Sequence, residues 1–134
     1  MGTRSTLQFV DGDHTIATIY QQYDGYPQGV GQQILDTLVK YPIVNGYSQD
    51  QVGKVANGLG CLVGLYIKDH KESTGNLYFV PTIDFGTQEY NYHVVFSNDY
   101  TITVTESGER LPIFEGNLEK FALFVKDPEG YEHK

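Results

Sequence analysis

The chain has one cysteine, no run of basic residues and no long apolar stretch. A lone cysteine, Cys61, excludes an internal disulfide, and its place within an apolar helical pattern leads us to expect a buried thiol packing as a small hydrophobe. No segment reaches the roughly 20 apolar residues with which a helix crosses a bilayer. Residues 1–9 carry no apolar run of the signal-peptide kind, so a cytoplasmic protein that does not engage a membrane is expected. Nine Lys and Arg stand against seventeen Asp and Glu, a formal net charge of −8. Nucleic acids are held largely by basic side chains that neutralise phosphates, so direct nucleic-acid binding is disfavoured. The carboxylates are scattered, densest at Asp11, Asp13 and the tail, which reads as a solvated surface. An acidic protein–protein inhibitor, mimicking nucleic acid toward a DNA-binding protein, is the alternative and requires those charges aligned on one face.

Catalytic patterns are equally scarce. There is no Gly-x-Ser-x-Gly elbow, and His14, His70, His93 and His133 occur singly, with no pair at i,i+2 or i,i+4. Neither a metal nor a cofactor is expected. An enzyme built on Asp24, Glu89 and His93 requires three distant side chains to converge on one pocket, and we expect a non-catalytic protein instead.

What is present is one domain's worth of core: 134 residues, 40% of them hydrophobic, with seven Phe and eleven Tyr. Residues 6–10 and 14–23 are extended runs joined at Asp11-Gly12-Asp13, a tight-hairpin signal. Ala17 and Ile19 alternate with Ile16 and Tyr20, so the second run reads as a central strand. Val30, Ile34, Leu35, Leu38, Val39 and Tyr41 then form one helical stripe, which Pro42 ends. A second helical pattern covers 49–70, with Ser48 as its N-cap. Strands are expected over 76–83, 88–96, 100–105 and 110–114, and Asn117 caps a last short helix. The expected fold is α+β: a mainly antiparallel sheet of about five to six strands, two long helices packed on it and a short C-terminal helix.

Two features point to binding. In Tyr23-Asp-Gly-Tyr-Pro-Gln-Gly-Val-Gly31 a strand turns into a helix through glycines that let backbone approach a ligand, and the first amides of a helix attract anions. Tyr23, Asp24, Gly25, Tyr26, Gly29 and Gly31 are therefore candidate ligand residues. Tyr90, Tyr92, Tyr20 and Tyr100 offer further stacking faces, and Arg110, Arg4 or Lys54 could supply positive charge. The turn matches neither phosphate fingerprint: it lacks the third glycine of a dinucleotide loop and the Gly-Lys-Ser/Thr of a P-loop. Separately, Gly53, Asn57, Gly60 and Gly64 share one face of the second helical pattern. Glycines cost ~1 kcal/mol each there, so a close backbone approach is expected, within the chain or from a second copy in a homo-oligomer; a break near Gly58 to Gly60 is the competing reading.

The 23–31 motif resembles that of a group of small phage-borne and bacterial proteins in which a strand ends in Tyr/Trp-Asp-Gly-Tyr-Pro-x-Gly-x-Gly before a helix. The later segments Val55-Ala-Asn-Gly-Leu-Gly-Cys61 and Tyr90-Asn-Tyr92 are similar to that group too. The resemblance implies a phage or prophage accessory protein and carries no known reaction. In outline the expected architecture is also similar to that of oligomeric phage proteins that sequester cyclic nucleotide signals of host defence. The expectation drawn from it is a non-catalytic anti-defence protein that holds a small anionic or nucleotide-like ligand.

Overall fold

Period-two alternation places every second side chain of a strand on one face, and in this chain those side chains line up across neighbouring strands. The computed structural model describes residues 2–81 and 88–131. Strands β1 (Ser5–Asp11) and β2 (His14–Gln21) form the hairpin, with Gly12 at φ 66° in its two-residue loop. A π-helical turn (Pro27–Gly31) runs directly into helix α1 (Gln32–Lys40). Short strands β3 (Ile43–Val44) and β4 (Ala56–Asn57) pair with each other before helix α2 (Leu59–His70). Then come β5 (Leu77–Phe79), β6 (Tyr90–Ser97), β7 (Asp99–Glu106), β8 (Phe114–Gly116) and helix α3 (Leu118–Lys126).

The main sheet has six strands in the order β5-β2-β1-β6-β7-β8. Every pairing in it is antiparallel except β1 with β6, which is parallel. The α+β expectation holds in its essentials. Register explains the core: Ile19, Leu7, Tyr92, Val104 and Phe114 stand in one row across five strands, and Phe9, Val94 and Ile102 in the next. All eight are at most 1% exposed. The helices cover these rows. α1 contributes Ile34 and Leu38, α2 sets the Tyr66 ring edge-on to Phe9, and α3 packs Phe121 and Phe124 against Phe114. Burying one such side chain stabilises the fold by ~1.5–3 kcal/mol, so the two rows dominate its energetics.

Several expectations are corrected. The helical pattern over 49–70 breaks: Ser48 precedes only a single 3₁₀ turn (Gln49–Gln51), Gly53 (φ 80°) and Gly58 (φ 90°) take left-handed conformations, and α2 begins at Leu59. Those two glycines stand where the chain turns, which a helical reading of their neighbours conceals. Cys61 is exposed, because α2 turns Leu59, Leu62, Val63 and Tyr66 inward and the helical period puts Cys61 on the opposite side. Val39 is 61% exposed while Tyr41 is buried, since the chain leaves helical geometry at Tyr41. The strand expected at 110–114 is confined to Phe114–Gly116, and that expected over 76–83 is Leu77–Phe79, with 82 and 83 outside the described residues. Asn117 does cap α3, its Oδ1 accepting from the Lys120 amide at 2.9 Å.

Candidate binding groove

The 23–31 turn is built by close packing. Asp24 adopts φ 59°, reversing the chain after β2. A Cβ at Gly25 would lie 2.8 Å from Ser5 Cβ and 2.9 Å from the Thr3 carbonyl, and one at Gly29 would lie 2.1 Å from the Asp24 carbonyl. No larger residue fits either place. The amides are committed as well: Gly25 donates to Thr3, Gly29 to Tyr26, Val30 to Asp24 and Gln32 to Gly29, each to a carbonyl oxygen. The Gly25 carbonyl accepts from the Tyr92 hydroxyl at 2.6 Å, and Gly31 is buried against Tyr92, Pro27 and Val125. These four amides of the turn are thus bonded within the fold.

Beside the turn lies a groove of about 300 Å³. It is lined by Tyr26, which caps the π-helical turn, with Pro27 and Gln28 of that turn, by Phe124, Pro128 and Glu129 from α3 and the segment after it, and by Tyr90, Glu106 and Ile113 from the sheet and the β7–β8 connection. Tyr90 and Glu106 meet because β6 and β7 pair them directly across the ladder. Tyr90 donates its hydroxyl to Glu106, and burial, then the charge of Glu106, pushes its pKa up. Tyr26 donates to Asp24 Oδ1 at 3.3 Å, and the Asp24 charge raises the Tyr26 pKa. Both tyrosines thus stay neutral with their rings available, in a negative local field.

Of the sequence candidates, Tyr26 and Tyr90 share this groove, with Asp24 bonded to Tyr26. Gly25, Gly29 and Gly31 shape the turn behind it. Tyr92 is 1% exposed and serves the core, and burial pushes its pKa up. Tyr23 is 53% exposed, with its amide bonded to Asn76 Oδ1 at 3.0 Å. Arg110 is exposed on the loop between β7 and β8 and Arg4 is exposed before β1; neither lines the groove. Tyr20 packs near Tyr78, and Tyr100 lies in the core against Phe96, so the tyrosines do not form one surface. Glu106, Ile113, Phe124, Pro128 and Glu129 escaped sequence reasoning. Only the Tyr90 to Glu106 register could have revealed one of them, and register is a long-range property.

Asp24, Glu89 and His93 do not converge. Tyr92 faces the turn, so strand alternation sends His93 to the opposite face of the sheet, where burial lowers its pKa. Asp24 is on the turn at the sheet's other face, and the exposed Glu89 precedes β6. Among the described residues no group of three or more His, Cys, Asp or Glu is placed to hold a metal, and no helix is long and apolar enough to cross a membrane. His133 lies outside the described residues. Among the described residues carboxylates occur at the β1–β2 hairpin (Asp11, Asp13), on α1 (Asp36), α2 (Asp69) and α3 (Glu119), and around the groove, spread over several elements.

The glycine face is also redrawn. Gly53 and Asn57 precede α2 and line a separate hollow of about 170 Å³ with Tyr47, Val52, Cys61 and Leu65. Asn57 Oδ1 accepts from the Gly46 amide at 2.8 Å. Gly60 and Gly64 do share a face of α2, yet nothing among the described residues comes within 4 Å of a Cβ built on either. Among the described residues no close backbone approach explains them. Comparison of the chain with protein-family models, with curated proteins and with solved structures returns no match.

Proposed function

We propose that this chain is a non-catalytic binding protein that holds a small molecule in the groove between the 23–31 turn and α3. The observation that carries the reading is the groove itself: two half-open tyrosine rings, an apolar back wall and unneutralised carboxylates around about 300 Å³ of space. That volume lies at the lower end of ligand sites, which run from ~300 to ~1,000 Å³, so the guest is small. Flat rings stack on tyrosine, which keeps a nucleobase-like moiety compatible with the site. A phosphate gains little from the turn, whose Gly25, Gly29, Val30 and Gln32 amides are bonded to backbone carbonyls. The resemblance of the turn motif supports a phage or prophage accessory role, in which the bound molecule is a host signal withdrawn from use. As part of this reading the exposed strip at Gly60 and Gly64 is where two copies associate, and light scattering that gives one chain's mass at every concentration contradicts that part.

Isothermal titration against ADP-ribose derivatives, cyclic nucleotides, nucleosides and small amines tests the binding reading. Heat from at least one class, lost when Gln28→Trp fills the groove, is the expected result. A folded protein that is silent to all four classes overturns it.

A further inference from the structure

The described side chains that line the groove carry charge of one sign. Glu106 and Glu129 enter it from different elements, Asp24 stands behind Tyr26, and among the described residues no lysine, arginine or histidine lines it. Among the described residues neither Glu106 nor Glu129 has an ion-pair partner; the ion pairs there involve Asp13 and Asp69. Glu106 is half-buried, and its hydrogen bond from Tyr90 leaves most of its acceptor capacity open, since an ionised carboxylate accepts about four. A partly buried carboxylate without a cation is costly, and a guest that brings the cation relieves that cost. The aromatic walls act in the same direction. Ring faces present negative potential and attract ammonium and guanidinium groups within ~6 Å of their centroids. Phe124, Ile113, Pro27 and Pro128 then supply an apolar lining for the stem that carries such a group.

We propose that the groove is a site for a small organic cation, an ammonium or guanidinium on a short apolar stem, paired with Glu106 and Glu129 and flanked by Tyr26 and Tyr90. The inference rests on the groove being the binding site of the preceding section and adds the charge of its ligand. Arg4 and Arg110 do not line the groove.

The test is an amide-resolved NMR titration of the full chain with agmatine, in parallel with n-pentanol as an uncharged stem and ADP-ribose as an anion. Saturable shifts confined to Gln28, Tyr90, Glu106, Glu129 and their neighbours, with agmatine only, are expected. Glu129→Gln, in the exposed segment after α3, and Glu106→Gln should each weaken agmatine about tenfold, the scale of one charge-assisted hydrogen bond. Asp36→Asn on α1 should leave it unchanged. Raising the salt concentration should weaken it further. Unsaturating shifts spread over the acidic surface overturn the proposal, since a chain of net charge −8 attracts cations loosely everywhere. Localised shifts with ADP-ribose or n-pentanol but not agmatine overturn the cation inference and leave the groove as the binding site. Silence from all three in this region, with the spectrum of a folded protein, overturns both.

Discussion

Tyr66 fixes the interior polar chemistry. It is fully buried, and its hydroxyl donates to Gln21 Oε1 at 2.6 Å, while Gln21 Nε2 donates to Gln33 Oε1 at 3.1 Å. Burial pushes the Tyr66 pKa up, so the phenol remains a donor throughout the working range. Tyr66→Phe deprives the buried Gln21 oxygen of its donor and should cost about 1–3 kcal/mol in urea melts, the cost of an unsatisfied buried acceptor. Asp69 supplies a pH-dependent counterpart on α2. The Tyr41 hydroxyl donates to its Oδ2 at 2.7 Å, with Lys68 and Lys40 at 3.3 and 3.6 Å, which holds its carboxyl below the ordinary 3.8 against a smaller opposing effect of burial. A depressed folded pKa means stability that is present above the unfolded value and lost as pH falls through the folded one. Asp69→Asn should therefore be less stable than wild type by about 1 kcal/mol near neutrality, and the two melting curves should converge in strong acid. A gap that persists when the carboxyl is protonated rejects the electrostatic part of this account.

Among the elements, the 23–31 turn and α2 give opposite predictions for glycine replacement. Gly29→Ala drives a Cβ into the Asp24 carbonyl and should cost about 1–3 kcal/mol or more. Within one chain Gly60→Ala and Gly64→Ala meet open space on a helix and should each stabilise the dissociated chain by about 0.5–1 kcal/mol, as thermal melts at low protein concentration will register. At concentrations where two copies associate through that strip, the added methyl should instead lower the mass seen by light scattering, and an unchanged associated mass contradicts the proposed contact. These elements also mark what the sequence made legible. Alternation in β6 and β7 announced the core rows, and Asp11-Gly12-Asp13 announced the hairpin, because both signals are local. Gly25 and Gly29 were visible as a sharp turn, but the reason for them is the nearness of Thr3, Ser5 and the Asp24 carbonyl. The break before α2 was hidden because Val52, Val55 and Ala56 keep helical spacing while Gly53 and Gly58 turn the chain.

For the whole molecule, the groove is a product of assembly. It needs the turn after β2, the β6–β7 register, the β7–β8 connection and the segment after α3, contributions separated by about a hundred residues of chain. That is why Tyr26 and Tyr90 could be proposed from sequence as aromatic candidates while Glu106 and Glu129, which set the sign of the site, could not. The expected anion preference followed from a helix start considered in isolation. Packing bonds the amides of Gly25, Gly29, Val30 and Gln32 to carbonyl oxygens and gathers carboxylates beside the turn, which is the ground of the proposed cation site. Native mass spectrometry of the protein taken directly from the cells that produce it tests the central claim of a groove that holds a small molecule. The account predicts an adduct on the wild-type chain that disappears in a folded Gln28→Trp variant; a bare wild-type mass, or an adduct that survives the filled groove, contradicts it.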